Sequence, residues 1–235
     1  MNLILSMIFA HVLGDFYFQT NKMAKSKDKS IVKHDSIYTG IIVFIYWCMT
    51  KSISVIPLGL FVFATHFIID TLNIYILKRI KNQSHVVLVF IVDQLLHVSV
   101  LIICLLYLNN SALSDGVVNN ILLIIVILFS LVKPSSILID KVICMFDNSD
   151  ISKEFQLDEG TVIGILERLV ILTMGMMDSI SGVGFLIAAK TMVRYGQFDE
   201  AKKDNNFRSK YLIGTLLSVL LGFVHFLLFA LIKSN

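Results

Sequence analysis

Apolar residues run along this chain in long blocks separated by short polar stretches. The blocks cover about 2–19, 36–50, 55–77, 86–108, 118–133, 161–178, 182–195 and 211–232. A helix needs roughly 20 apolar residues to cross a bilayer, and these runs reach or approach that length. The pattern predicts an all-α protein, a polytopic transmembrane helical bundle of about eight membrane helices. The fifth block is expected to stop at Lys133–Pro134, because proline removes a helical donor and disfavours helix in the residue before it. Ser135–Phe146 then reads as an amphipathic stretch at the interface, with Ile137, Leu138 and Val142 toward lipid and Asp140 and Lys141 toward water. Asp147–Glu159 reads as an acidic loop. By their polar residues the helices sort into two four-helix halves, 1–110 and 111–235, of one integral membrane domain.

Composition sharpens this. The chain is 56% hydrophobic with a mean hydropathy of +0.81, above the roughly 45–50% apolar share of soluble domains. Two prolines and twelve glycines argue against a disordered linker. Sixteen of the twenty Lys and Arg residues fall in or beside four loops at 20–35, 78–85, 134–160 and 196–210. The turns between them, at 51–54, 109–117 and 179–181, carry only Lys51. Each crossing switches sides, so every basic loop lands on one face. By the positive-inside rule that face is cytoplasmic and both termini lie outside, a multi-pass inner-membrane topology. These loops need no nucleic-acid partner to explain them. Met1–Phe18 lacks a charged leader and a small-residue cleavage site, and reads as a retained helix. Three cysteines in apolar surroundings argue against a disulfide framework.

The candidate chemistry lies inside the apolar blocks. His11/Asp15, His66/Asp70 and Asp93/His97 are three His/Asp pairs at i,i+4 spacing. Residues four apart share one helix face, and an ionisable group in hydrocarbon costs at least about 2.5–3.5 kcal/mol on insertion scales. With the topology set by the basic loops, all three aspartates fall roughly 6–12 Å from the cytoplasmic face at 1.5 Å per residue. His34 sits at the mouth of the second block on the same side. Imidazole and carboxylate together suit a divalent Zn, Mn or Fe ion, with His11, Asp15, His34, His66, Asp70, Asp93 and His97 as ligands and His11 as ligand or base. Gln19, Asn73 and Gln94 are candidate outer hydrogen-bond partners for those ligands. Two other readings stay open: a proton or ion pathway, and hydrogen-bonded pairs that only satisfy themselves in lipid.

A second constellation lies in the C-terminal half. Glu167 and Arg168 stand two turns into the sixth block, level with Lys190 and Arg194 of the seventh. Arg168, Lys190 and Arg194 form a candidate clamp for an anionic substrate, with Glu167 as acid or base. The alternative is a bridge from Glu167 to Lys190 or Arg194.

The run His11-Val-Leu-Gly-Asp15-Phe-Tyr-Phe-Gln19, with His66-x-x-x-Asp70, Asp93-Gln94-x-x-His97, Gly164-Ile-Leu-Glu167-Arg168 and Gly184-Phe-Leu-Ile-Ala-Ala-Lys190, resembles a bacterial multi-pass membrane family known as domain of unknown function 3307. The resemblance implies the helical architecture and the candidate positions over nearly the whole chain, and implies no reaction. Lys210-Tyr211-Leu-Ile-Gly214-Thr215 is a near match to a late motif that would carry an acid at Lys210. His66–Asn73 is similar, more distantly, to a segment of inner-membrane metal-dependent hydrolases.

The sequence therefore supports a metal-binding membrane protein acting as a hydrolase on an anionic or lipid-linked substrate. A transporter or proton relay, and a metal-stabilised sensor or scaffold, are the competing classes. The lipid bilayer is the one partner expected in every case; metal identity, substrate and oligomeric state are not encoded legibly.

Overall fold

The structure, a computed structural model, describes residues 2–80, 83–108, 119–147, 156–200 and 205–234; within these, the side chains at 83, 147, 180, 193–200, 205–208 and 234 are not described. The described residues are helical, with no strand among them. The helices are α1 (Asn2–Val12), α2 (Asn21–Lys25), α3 (Lys27–Thr50), α4 (Val55–Arg79), α5 (Gln83–Leu108), α6 (Asn120–Asp147), α7 (Glu159–Met176), α8 (Ile180–Glu200) and α9 (Asn205–Ser234). The chain divides into two compact units, Met1–Lys133 and Pro134–Asn235, with the boundary inside α6.

Among the described residues four helical stretches are long and apolar enough to cross a membrane: Val55–Arg79, Ser84–Leu108, Asn120–Phe146 and Ser209–Lys233. Only 22–33% of each is buried within the protein, and large side chains such as Leu60, Ile68, Leu95 and Ile103 point outward. Such surfaces call for lipid. The expectation of eight membrane helices is thereby corrected to four that meet both criteria. Asn2–Tyr17 and Ser181–Met192 are apolar but shorter. The N-terminal third of α3 is polar, with Lys33, His34 and Asp35, and the 18-residue α7 carries Glu159, Glu167 and Arg168. Apolar runs alone overcounted because they ignore the charges that the same helices carry.

A second correction concerns Pro134. The helix does not stop there: α6 runs through it from Asn120 to Asp147, and the expected interfacial stretch is its continuation. Proline in a membrane helix is tolerated where other groups satisfy the backbone it frees. The Tyr17 hydroxyl donates to the Phe129 carbonyl at 3.0 Å in the turn before Pro134.

In the first unit α1 packs on α3 and α5, and α4 packs on the same two helices, closing a four-helix ring. The ring has two layers. Ile4, Met7, Ala10, Tyr38, Ile42, Tyr46, Leu58, Val62, Leu101 and Leu105 form an apolar core. The second layer is polar and holds the His/Asp residues. Every helix carries both layers, in an order that reverses from one to the next as an antiparallel ring requires. In the second unit α7 packs along α9, with α8 against α7. The α7–α9 approach depends on Gly222, where a Cβ would meet Ile171 Cγ2 at 2.9 Å.

Candidate metal centre

Each wall of the ring delivers two ionisable groups. The first comes from α1 and the turn after it. Residues Leu13–Tyr17 form a wide π-helical turn, closed by the Phe18 amide on the Leu13 carbonyl at 2.8 Å. Such turns re-aim side chains at functional sites. This one presents Asp15, with His11 one turn earlier. Gly14 permits it to lie against α3, since a Cβ there would sit 2.5 Å from the Tyr38 ring. The second wall, α3, contributes His34 and Asp35; α4 contributes His66 and Asp70; α5 contributes Asp93 and His97. All eight are 0–9% exposed.

The tight contacts run between helices. His66 Nε2 lies 3.1 Å from Asp15 Oδ1, and His66 Nδ1 lies 3.0 Å from Asp35 Oδ1. His34 Nε2 is 3.4 Å from Asp15 Oδ1 and 3.7 Å from Asp70 Oδ2. His97 Nε2 is 3.7 Å from Asp70 Oδ1. Within the three i,i+4 pairs the separations are longer than a hydrogen bond: 3.7 Å for His11–Asp15, 3.9 Å for His66–Asp70 and 3.7 Å for His97–Asp93. The spacing brings each pair to the same place without joining it.

The ring nitrogen of His97 nearest its own backbone, Nδ1, lies 2.8 Å from the Asp93 carbonyl. A carbonyl only accepts, so Nδ1 carries the proton and Nε2 presents a lone pair to the centre. That Nε2 is buried without a hydrogen-bond partner, as are both nitrogens of His34, Asp70 Oδ1 and Asp93 Oδ1. Orphaned polar atoms at this density are costly, and they are ligand atoms. Among the described residues three groups of side chains have ligand atoms within 4.8 Å of one another: His34, Asp35, His66 and Asp70; Asp15, His66 and His97; and Asp70, Asp93 and His97. A divalent ion fits this donor set, which is nitrogen and oxygen throughout.

Three contributors escaped the sequence reading. Asp35 was passed over beside His34. Tyr38 is buried, bonds His11 Nδ1 through its hydroxyl at 3.0 Å and lays its ring against His66 with centroids 3.9 Å apart. Lys27 reaches in from the first turn of α3 and places Nζ 2.8 Å from Asp70 Oδ2. Burial lowers the pKa of this ammonium, but the Asp70, Asp15 and Asp93 carboxylates outweigh burial and hold it above the usual lysine value. One signal was available: His34 and Tyr38 are themselves four apart, which marks α3 as the fourth wall.

Of the expected outer partners, Gln94 donates to Asp93 Oδ2 at 3.1 Å. Asn73 is half-buried with its Oδ1 lacking a hydrogen bond. Gln19 lies in the bend after the π turn and hydrogen-bonds none of the cluster.

The second unit has its own polar cavity, about 260 Å³, lined among others by Glu167, Arg168, Lys190, Lys210, Thr215 and Ser218. Glu167 is ion-paired with Lys190, which is the bridge alternative. Buried Arg168 donates to the Ser136 hydroxyl at 2.6 Å and to that of Ser218 at 3.5 Å. The Arg194 side chain lies outside the described residues.

No curated protein and no solved structure matches the chain. Residues 3–124 match the family described as Protein of unknown function (DUF3307). The matched stretch holds all eight His/Asp residues and stops short of Gly164–Arg168 and Gly184–Lys190, so the likeness covers about half the chain rather than nearly all of it. No match supports the more distant hydrolase likeness. The ring of α1, α3, α4 and α5 with its buried His/Asp layer is therefore the part of this protein for which kinship is established: the chain belongs to the DUF3307 family.

Proposed function

We propose that this protein is a metalloprotein of the bacterial inner membrane whose His/Asp layer holds a divalent ion and hydrolyses an anionic or lipid-linked substrate. The observation that carries the reading is the convergence of four imidazoles and four carboxylates, from four walls, in one buried layer. Isolated pairs that merely satisfied themselves would join side chain to side chain within each helix, and here those separations are 3.7–3.9 Å.

A bound divalent ion lowers the pKa of its water toward about 7 and so supplies a nucleophile at neutral pH. His97 is held in the tautomer that ligates. Tyr38 and Gln94 orient His11 and Asp93. The His11 imidazole, hydrogen-bonded to Tyr38 and 3.7 Å from Asp15, would hold a ligand or base role beside such an ion. Basic loops, Lys22–Lys33 among them, favour a centre that opens to the cytoplasm and an anionic substrate. In the second unit Arg168 and Lys190 remain candidate anion-holding groups.

The test is elemental mass spectrometry of protein purified in detergent without chelator, beside an Asp70→Ala/Asp93→Ala variant, followed by hydrolysis assays on phosphate and carboxylate esters. Bound metal that disappears in the variant supports the reading. A folded wild type that takes up no Zn²⁺, Mn²⁺ or Fe²⁺ overturns it and leaves the chain of His/Asp contacts as a proton path.

A further inference from the structure

We propose that the centre is built for two divalent ions bridged by Asp70, one held by His34, Asp35, His66 and Asp70, the other by Asp70, Asp93 and His97. This rests on the metal reading above and specifies its nuclearity.

The three ligand groups overlap at three residues: His66, His97 and Asp70. A neutral imidazole offers one lone pair, so neither histidine serves two ions. A carboxylate has two oxygens and does. Among the shared residues only Asp70 can therefore belong to two ions at once, and its two oxygens already face different partners. Oδ1 looks at His97 Nε2, 3.7 Å away. Oδ2 is ion-paired with Lys27 Nζ at 2.8 Å and also faces His34 Nε2 at 3.7 Å and His66 Nδ1 at 3.9 Å. The separations from the imidazoles are too long for hydrogen bonds. They are close to the edge of a coordination polyhedron, about 3.4 Å for a tetrahedral ion with bonds near 2.1 Å.

The orphaned atoms divide the same way. His34 Nε2 faces Asp70 Oδ2, and His97 Nε2, grouped with Asp93, faces Asp70 Oδ1; both nitrogens lack a hydrogen-bond partner. Asp15, 3.4 Å from His34 Nε2 and 3.1 Å from His66 Nε2, stands behind the first group. Charge points the same way. Asp15, Asp35, Asp70 and Asp93 bring four carboxylates into one layer, and Lys27 is the one lysine within ion-pair distance of them among the described residues. With Lys27 displaced from Asp70 by metal, one divalent ion leaves the four carboxylates in excess and two balance them. Two-ion sites hold their metals about 3.5–4 Å apart, a gap that one bridging carboxylate spans.

The experiment uses the full chain in detergent, stripped of metal, reloaded with Mn²⁺ and desalted. Bound manganese per chain is counted, and the electron paramagnetic resonance spectrum is recorded. Two ions per chain with an exchange-coupled spectrum are expected. Asp35→Asn and Asp93→Asn, with helicity checked by circular dichroism, should each keep one ion with an uncoupled six-line spectrum, and Asp70→Asn should lose the coupling. One ion per wild-type chain overturns the bridged pair and leaves a mononuclear centre standing. No ion at all overturns the metal reading itself, and the pair with it.

Discussion

His66 is bonded to a carboxylate 51 positions away, not to the one a turn along its own helix. Its Nε2 lies 3.1 Å from Asp15 Oδ1, whereas Asp70 Oδ2, four residues on, is 3.9 Å from Nδ1. The other face of the ring meets Asp35 on a third helix. The imidazole thus pins α1, α3 and α4 together, and each carboxylate it touches is oriented by it.

Asp35 should matter as much as the residues whose spacing announces them. Asp35→Asn keeps the shape of the side chain and removes its charge. Metal affinity is expected to fall at least tenfold, in line with or beyond the 10–100-fold typical of outer-partner changes. Gln19→Ala, with no bond to the cluster, should leave affinity within about twofold. Isothermal titration of the stripped protein checks both; equal effects of the two substitutions would remove Asp35 from the centre.

Gly14 is required by the Tyr38 ring. Gly14→Ala puts a methyl where 2.5 Å is left, and overpacking of this kind costs about 1–3 kcal/mol. Tyr38→Phe removes only the hydroxyl on His11, a loss of about 1 kcal/mol. Thermal unfolding in detergent micelles should rank the glycine substitution as the more damaging. The reverse order would mean that the π turn yields to the methyl.

Lys27 and a metal ion compete for Asp70. Lys27 is 24% exposed on its side chain and Asp70 1%, so the ammonium can withdraw while the carboxylate cannot. Lys27→Met should destabilise the metal-stripped protein by about 1–3 kcal/mol, the cost of a buried acceptor left unpaired. It should also enlarge the rise in melting temperature on adding Mn²⁺, because binding stabilises by RT ln(1 + [L]/Kd) and Kd drops. If metal binds more weakly to the variant, Lys27 positions Asp70 instead of competing for it.

Asp158 gives a pH signature outside the membrane spans. Its Oδ1 accepts the Thr161 amide at 2.7 Å as the cap of α7, and that backbone hydrogen bond holds its carboxyl below the usual range. A depressed folded-state pKa contributes stability above the unfolded value, about 3.9, and loses it as pH falls through the folded one. Asp158→Ala should therefore cost about 1 kcal/mol at pH 7. The gap between wild type and variant should close as pH drops below about 4. A gap that persists undiminished at pH 3 would assign the effect to something other than the charged cap.

The sequence by itself determined the helical class, the presence of apolar membrane-length segments and seven of the eight His/Asp residues of the buried centre. These are local facts: hydropathy sums over one segment, and an i,i+4 interval places two side chains on one face whatever surrounds them. Only the tertiary structure decided what the faces meet. Asp35 and Tyr38 enter the centre because α3 packs between α1 and α4, and Lys27 because α3 begins beside Asp70. Long-range contacts such as that from His66 to Asp15 leave no mark in any window of the sequence, since both residues are chosen for a partner that folding alone brings near.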